Sequence, residues 1–267
     1  MILDISKLEK SLKIALNQEF VRVDEVKRTL QRLEKLPIVT ENSGQPVIAT
    51  VATDGGENKL FLDPIRMQII RVVDSNGTKY FEDFIPLSLD ADLIFKNFVK
   101  SNELLQWFKQ TLCLEWEDIL PNTPYQKASW LGMLRELLEW CVILKLMHSD
   151  LKPQLVVRDG LLRSVAIPMK VFDTLQKAFE KTSREKGHML VGVAKRSNVL
   201  SYLSLAISLN DSLPSNEKCY VRISKEFENE ASPPNYRWAS SRSMGDLFLA
   251  RLSENASSIF PIEIPSW

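Results

Sequence analysis

The spacing of apolar residues changes along this chain, and each change marks a new kind of element. Over residues 3–35, Leu8, Leu12, Ile14, Ala15, Phe20, Val23, Val26, Leu30 and Leu33 recur at helical intervals amid charges, which predicts helix. Pro37 and the cluster Glu41-Asn42-Ser43-Gly44 end it. The texture then becomes that of strands, over Val47–Thr53, Lys59–Leu62 and Gln68–Val73. The turn Asp74-Ser75-Asn76-Gly77 closes the third of these. Asn-Gly between two strand-like runs predicts that Thr78–Ile85 pairs back antiparallel.

Helical spacing returns from about Asp90 to Trp116, and a long helix follows Pro124 to about His148. Beyond it the pattern predicts a strand at Leu155–Asp159, a helix at Met169–Lys186, a strand at Met189–Ala194 and a helix at Asn198–Leu209. Cys219–Ile223, Asp246–Leu252 and Ile259–Ile264 read as strands, and the polar stretch Glu226–Ser243, with Pro233-Pro234, reads as a loop. A leading antiparallel hairpin followed by strand–helix crossovers predicts an α/β fold. Its mixed sheet, flanked by helices, has the element order of RNase H-like domains. The expected boundaries are an N-terminal helical extension at residues 1–40 and a main domain at 45–267.

Composition narrows this without changing it. Hydrophobic content of 45% and charged content of 25% over 267 residues are those of an ordinary globular chain. Lys+Arg and Asp+Glu both number 34, so a globally basic nucleic-acid binder is excluded and any basic surface has to be local. No apolar run approaches the ~20 residues of a membrane helix. The segment Met1-Ile2-Leu3-Asp4-Ile5-Ser6-Lys7 has no signal-peptide pattern, so the expected setting is cytoplasmic. Cys113, Cys141 and Cys219 lack metal-binding spacing and are expected to be buried free thiols. Glycine is scarce, yet Gly55-Gly56 and Gly160 follow aspartates directly, which predicts close backbone approach or positive φ there.

The chemistry starts from those aspartates. Val47–Thr53 runs into Asp54, and Leu155-Val156-Val157-Arg158 runs into Asp159, so adjacent strands would set two carboxylates at one sheet edge. Paired carboxylates suit a hard divalent cation. A third acid comes from the long helix, where every residue from Leu137 to Leu144 except Glu139 is apolar. A helix apolar all round is buried, and an ionised glutamate in it needs a cation or donors. Either Arg135, four residues earlier, neutralises it as an ion pair or a metal does, with Glu136 the fallback ligand. Lys195 stands at the end of Met189–Ala194, either facing a scissile phosphate or solvated, with Ser197 a helix N-cap.

Other constellations are sparse. His148 and His188 are the only histidines, no nucleophile elbow accompanies them, and no Gly-rich phosphate loop occurs. Trp107, Trp116, Trp130 and Trp140 fall at helical core positions, and Asp63, Asp74, Asp83 and Asp118 read as turn or capping residues.

Taken in order, Thr53-Asp54-Gly55-Gly56, the Arg135–Glu139–Trp140 helix, Val157-Arg158-Asp159-Gly160-Leu161-Leu162 and Gly192-Val193-Ala194-Lys195-Arg196-Ser197 resemble the NurA nuclease family. The resemblance runs from about residue 45 to the C-terminus. It implies an RNase H-like fold and a Mn2+- or Mg2+-dependent deoxyribonuclease. It further implies a homodimer acting on DNA with a HerA-type hexameric ATPase, in DNA end processing or anti-phage defence. Carried over, Asp54, Glu139 and Asp159 would be the metal-binding catalytic acids, with Lys195 in or near the site. Two departures stand out. Leu161 occupies the place of a usual serine, and no histidine follows His188, where the family carries a tyrosine and an Ala-His. The second leaves an alternative from another class, a degenerate adaptor that docks on the ATPase without cleaving DNA. A phosphatase acting on small molecules is a third.

Overall fold

The structure, a computed structural model, describes residues 5–31, 34–38, 49–87, 91–119, 127–194, 217–231, 242–254 and 259–267. Its elements begin with helix α1 (Ile5–Leu30), strands β1 (Lys35–Pro37), β2 (Ala49–Leu62), β3 (Ile65–Asp74) and β4 (Lys79–Pro86). Helix α2 (Ala91–Ile94) widens into a π-helical turn at Phe95–Val99, and α3 (Glu103–Thr111), α4 (Trp116–Ile119) and α5 (Lys127–Met147) follow. Strand β5 (Gln154–Asp159), helix α6 (Met169–Lys186) and strand β6 (Met189–Val193) form the crossover region. The last elements are β7 (Cys219–Ile223), α7 (Lys225–Ala231), β8 (Gly245–Arg251) and β9 (Phe260–Pro265).

The chain divides into two compact units. The larger comprises Gly44–Val193, Arg242–Gly245 and Ile264–Trp267, and its strands lie in the order β6-β5-β2-β3-β4. Strands β2, β3 and β4 pair antiparallel, as the Asn-Gly turn predicts, while β5 joins β2 and β6 in parallel. This is a mixed α/β sheet, and α5 packs on β2, β3 and β5 with α3 and α6 beside it. The smaller unit comprises Met1–Ser43, Ala194–Ser241 and Asp246–Glu263; its strands run in the order β1-β7-β8-β9. Within it, Lys35–Pro37 pairs with Cys219–Val221.

Helix α5 is the center of the larger unit's core. Leu137, Leu138, Trp140, Cys141, Val142, Ile143 and Leu144 are all fully buried, and Glu139 is only 5% exposed. A helix surrounded on every side carries no polar stripe, which is what its sequence shows. Trp140 stacks near Phe172 and Phe179 of α6, and Trp107 and Trp116 pack against the same core. No described helix is long and apolar enough to cross a membrane.

Several sequence expectations change. Val47–Thr53 and Lys59–Leu62 are not separate strands: β2 runs unbroken from Ala49 to Leu62, through Asp54-Gly55-Gly56. Pairing with β3 explains this, since Thr53↔Asp74 through Leu62↔Ile65 form one continuous ladder. The polar stretch after Ile223 opens with helix α7 rather than a loop. Ser224 Oγ accepts the Phe227 N–H at 3.1 Å, and Glu226 and Glu228 sit in the first turn, where the helix dipole favours acids. Cys113 is exposed, whereas Cys141 and Cys219 are buried as expected, and all three are free. The expected helix at Asn198–Leu209 and the Pro233-Pro234 segment lie outside the described residues.

Candidate active site

Strand pairing places the two aspartates. In the parallel β2–β5 ladder the last matched pair is Thr53↔Arg158, so Asp54 and Asp159 follow at one level on neighbouring strands. Asp159 ends β5 and pairs with Val193, the last residue of β6. Alternation assigns the faces. Val51 and Thr53 on β2 and Gln154, Val156 and Arg158 on β5 are buried on the side of α5. Asp54 and Asp159 therefore belong to the opposite side; Asp54 is exposed and Asp159 half-buried.

Glu139 approaches from α5. A Cβ added at Gly55 would collide with Glu139 Oε1, Cγ and Cδ, so the carboxylate lies against the strand where a side chain is missing. This is the use of Gly55. It is not among the glycines with positive φ, whereas Gly160 is, at 133°. A Cβ at Gly192 would come within 2.7 Å of Gly160 O and Leu162 N, so β6 also presses closely on the turn after Asp159.

Two arginines hold the glutamate. Arg135 Nη1 donates to Glu139 Oε1 at 2.9 Å and to the Gly55 carbonyl at 2.9 Å, and its Nε lies 3.9 Å from Glu57 Oε2. Arg158 Nη2 lies 3.6 Å from Glu139 Oε2 and donates to Glu136 Oε1 at 3.3 Å. Arg158 is itself buried, with its guanidinium 4.3 Å from the Trp140 ring centroid. Its Nη1 donates to the carbonyls of Leu161 and Arg163, tying down the chain just after Asp159. The Arg135–Glu139 ion pair, one of the two readings of the sequence, is thus present, and Arg158 joins it.

Burial pushes the Glu139 carboxyl up to about 7; Arg158 and Arg135 pull it down, and Glu136 and Asp54 add to the rise. Desolvation therefore outweighs two guanidinium groups.

Whether these residues suit a divalent metal is a question of donors. Asp54 and Asp159 offer hard carboxylate oxygens at one level, the right chemistry for Mn2+ or Mg2+. Glu139 has both oxygens next to guanidinium groups, and Glu136 Oε1 accepts from Arg158. Among the described residues, no group of three or more His, Cys, Asp or Glu side chains is arranged to hold a metal ion. Lys195 and Ser197 lie outside the described residues.

Arg158 also belongs to the site. A charged residue in the inward phase of the β-branched run Leu155–Asp159 was its signal, because such a residue has to find buried partners. Both histidines contact backbone groups, His148 Nδ1 lying 3.0 Å from the Leu144 carbonyl. His188 is buried; its Nδ1 accepts the Gln154 N–H at 3.2 Å, and its Nε2 lies 3.1 Å from the Ser149 carbonyl.

The whole described architecture aligns with the crystal structure of the NurA nuclease from Sulfolobus solfataricus, at 14% identity and a TM-score of 0.50. The match covers 100% of this chain and 82% of that one. The chain has a NurA-like fold. Two further NurA crystal structures, one of them with manganese, align at 11% and 12% identity with TM-scores of 0.48 and 0.44. These cover 98% and 97% of this chain and 87% of each of the others. No protein-family model and no curated protein matches the sequence.

Proposed function

We propose that this chain is a divalent-metal-dependent deoxyribonuclease of the NurA kind. The observation that carries the reading is the emergence of Asp54 and Asp159 at one level of two adjacent parallel strands. The NurA-like fold supports it. In this reading Asp54 and Asp159 hold Mn2+ or Mg2+, Glu139 is the acid that α5 brings against the same strand, and Lys195 neutralises a phosphate. Bound there, a divalent cation supplies a polarised water and offsets charge on the phosphodiester. Arg158 keeps the turn after Asp159 in place, and Gly55 leaves room for Glu139 against β2.

The setting proposed is DNA end processing or anti-phage defence, with a homodimer fed by a HerA-like hexameric ATPase. A net charge of zero fits a nuclease to which another protein delivers DNA. The test is digestion of linear DNA in Mn2+ by the wild type and by Asp159→Asn, with and without the ATPase. Cleavage by Asp159→Asn at the wild-type rate would refute the site.

A second reading is the non-cleaving adaptor, and the arginine clamp on Glu139 favours it, since that carboxylate already has its counter-ions. Failure of the wild type to cleave under any divalent cation, with intact docking on the ATPase, would select the adaptor.

A further inference from the structure

We propose that Arg158 is the resident cation of this site. It occupies the place between Glu136 and Glu139 where a metal ion would otherwise bridge them, so Glu139 is a partner of arginine rather than a metal ligand. The inference deepens the nuclease reading and rests on it for the ion at Asp54 and Asp159.

Three observations carry it. First, one guanidinium nitrogen, Arg158 Nη2, lies 3.3 Å from Glu136 Oε1 and 3.6 Å from Glu139 Oε2, bridging two carboxylates from α5. The other Glu139 oxygen is taken by Arg135 at 2.9 Å. With both glutamates ionised, Arg135 and Arg158 cancel Glu136 and Glu139, and a proton on Glu139 leaves the four groups positive, so a divalent ion added between the glutamates would meet two fixed positive charges; the further acid Glu57 lies 3.9 Å from Arg135. Second, Arg158 is buried on the α5 side of β5 and held by the Trp140 face and by the carbonyls of Leu161 and Arg163. A planar, always-charged guanidinium suits such a site and does not leave it by losing a proton. Third, side-chain alternation puts Arg158 and Asp159 on opposite sides of the sheet. The cation held by α5 and the aspartates beyond it are therefore separate positions.

The expected consequence is that removing the arginine opens a metal site where none exists now. Thermal unfolding with added MnCl2 reads this without any need for catalysis. Mn2+ should raise the Tm of Arg158→Met by about 3 °C or more beyond its effect on the wild type. Adding Glu139→Gln to that variant should remove the extra rise. Glu139→Gln alone should bind Mn2+ within about threefold of wild type by calorimetry, whereas Asp159→Asn should lose at least about tenfold. An Arg158→Met protein that responds to Mn2+ no more than wild type overturns the inference. So does a tenfold loss of Mn2+ affinity in Glu139→Gln, which decides the matter even if Arg158→Met does not fold. Wild type that binds no Mn2+, beside an Arg158→Met variant that does, overturns the nuclease reading and leaves the resident cation standing.

Discussion

At the scale of single residues, the site turns on an absence. Gly55 has no Cβ, and Glu139 fills the space one would take. Gly55→Ala forces the glutamate away from Arg135 and Arg158, because the collision involves Cγ and Cδ as well as the carboxylate end. The expected cost is about 2–3 kcal/mol in chemical denaturation. Glu139→Ala in the same chain should remove about half or more of that cost, since the two positions share one space. Additive losses would show that the contact is not the cause.

Glu139 also predicts a pH dependence. Its carboxyl titrates at about 7 in the fold, chiefly through burial, against an ordinary 4.5 in the unfolded chain. Between those values the folded protein holds a proton that the unfolded chain has released. The contribution to stability is therefore greatest below about pH 4.5, falls as pH rises toward 7, and is flat above. At about 1.4 kcal/mol per pH unit this amounts to about 3–4 kcal/mol. The difference between wild type and Glu139→Gln, followed by denaturation from pH 5 to 8, isolates it. A difference that does not change across that range would refute the assignment.

At the scale of elements, the β3–β4 hairpin depends on one buried acid. Burial raises the Asp74 carboxyl, but bonds from the Thr78 and Asn76 N–H groups at 2.9 and 2.8 Å and from Tyr80 Oη at 3.0 Å outweigh it, holding the group below the ordinary range. The partner hydroxyl of Tyr80 is pushed up to about 12 by burial and by Asp74. Asp74→Ala leaves three donors unmatched and should cost about 2 kcal/mol, whereas Asp74→Asn, which keeps an acceptor, should cost less. Equal losses in the two variants would count against this account.

The hairpin was legible because Asn-Gly has one dominant use between strands, and Gly77 does adopt a positive φ of 82°. α5 was legible because an unbroken apolar stretch has nowhere to go but inside. β2 was misread at Asp54-Gly55-Gly56 for a physical reason. The sequence allows Gly55 either a close approach or a positive φ; the structure has the close approach, to Glu139, more than eighty residues away. No local pattern carries that distance. Arg158 was hidden for the same reason, because its partners sit on another element.

At the scale of the whole molecule, charge decides how DNA could be held. With 34 basic and 34 acidic side chains the chain has no net attraction for a polyanion. Several basic groups are also spent internally: Arg135 and Arg158 on the glutamates of α5, Lys170 on Asp118 and Arg222 on Asp246. Affinity for duplex comes largely from cations that release counter-ions from phosphates, and an arginine neutralised within the fold contributes little. The isolated protein should therefore bind a labelled duplex only weakly, with a Kd of about 10⁻⁶ M or weaker at physiological salt. Fluorescence anisotropy at several salt concentrations gives both the affinity and the number of phosphates contacted. A Kd well below about 10⁻⁷ M at 150 mM salt would mean that a local basic surface outweighs the balanced total. Cleavage without the ATPase should then be efficient, and the argument for a delivering partner would lose its physical basis.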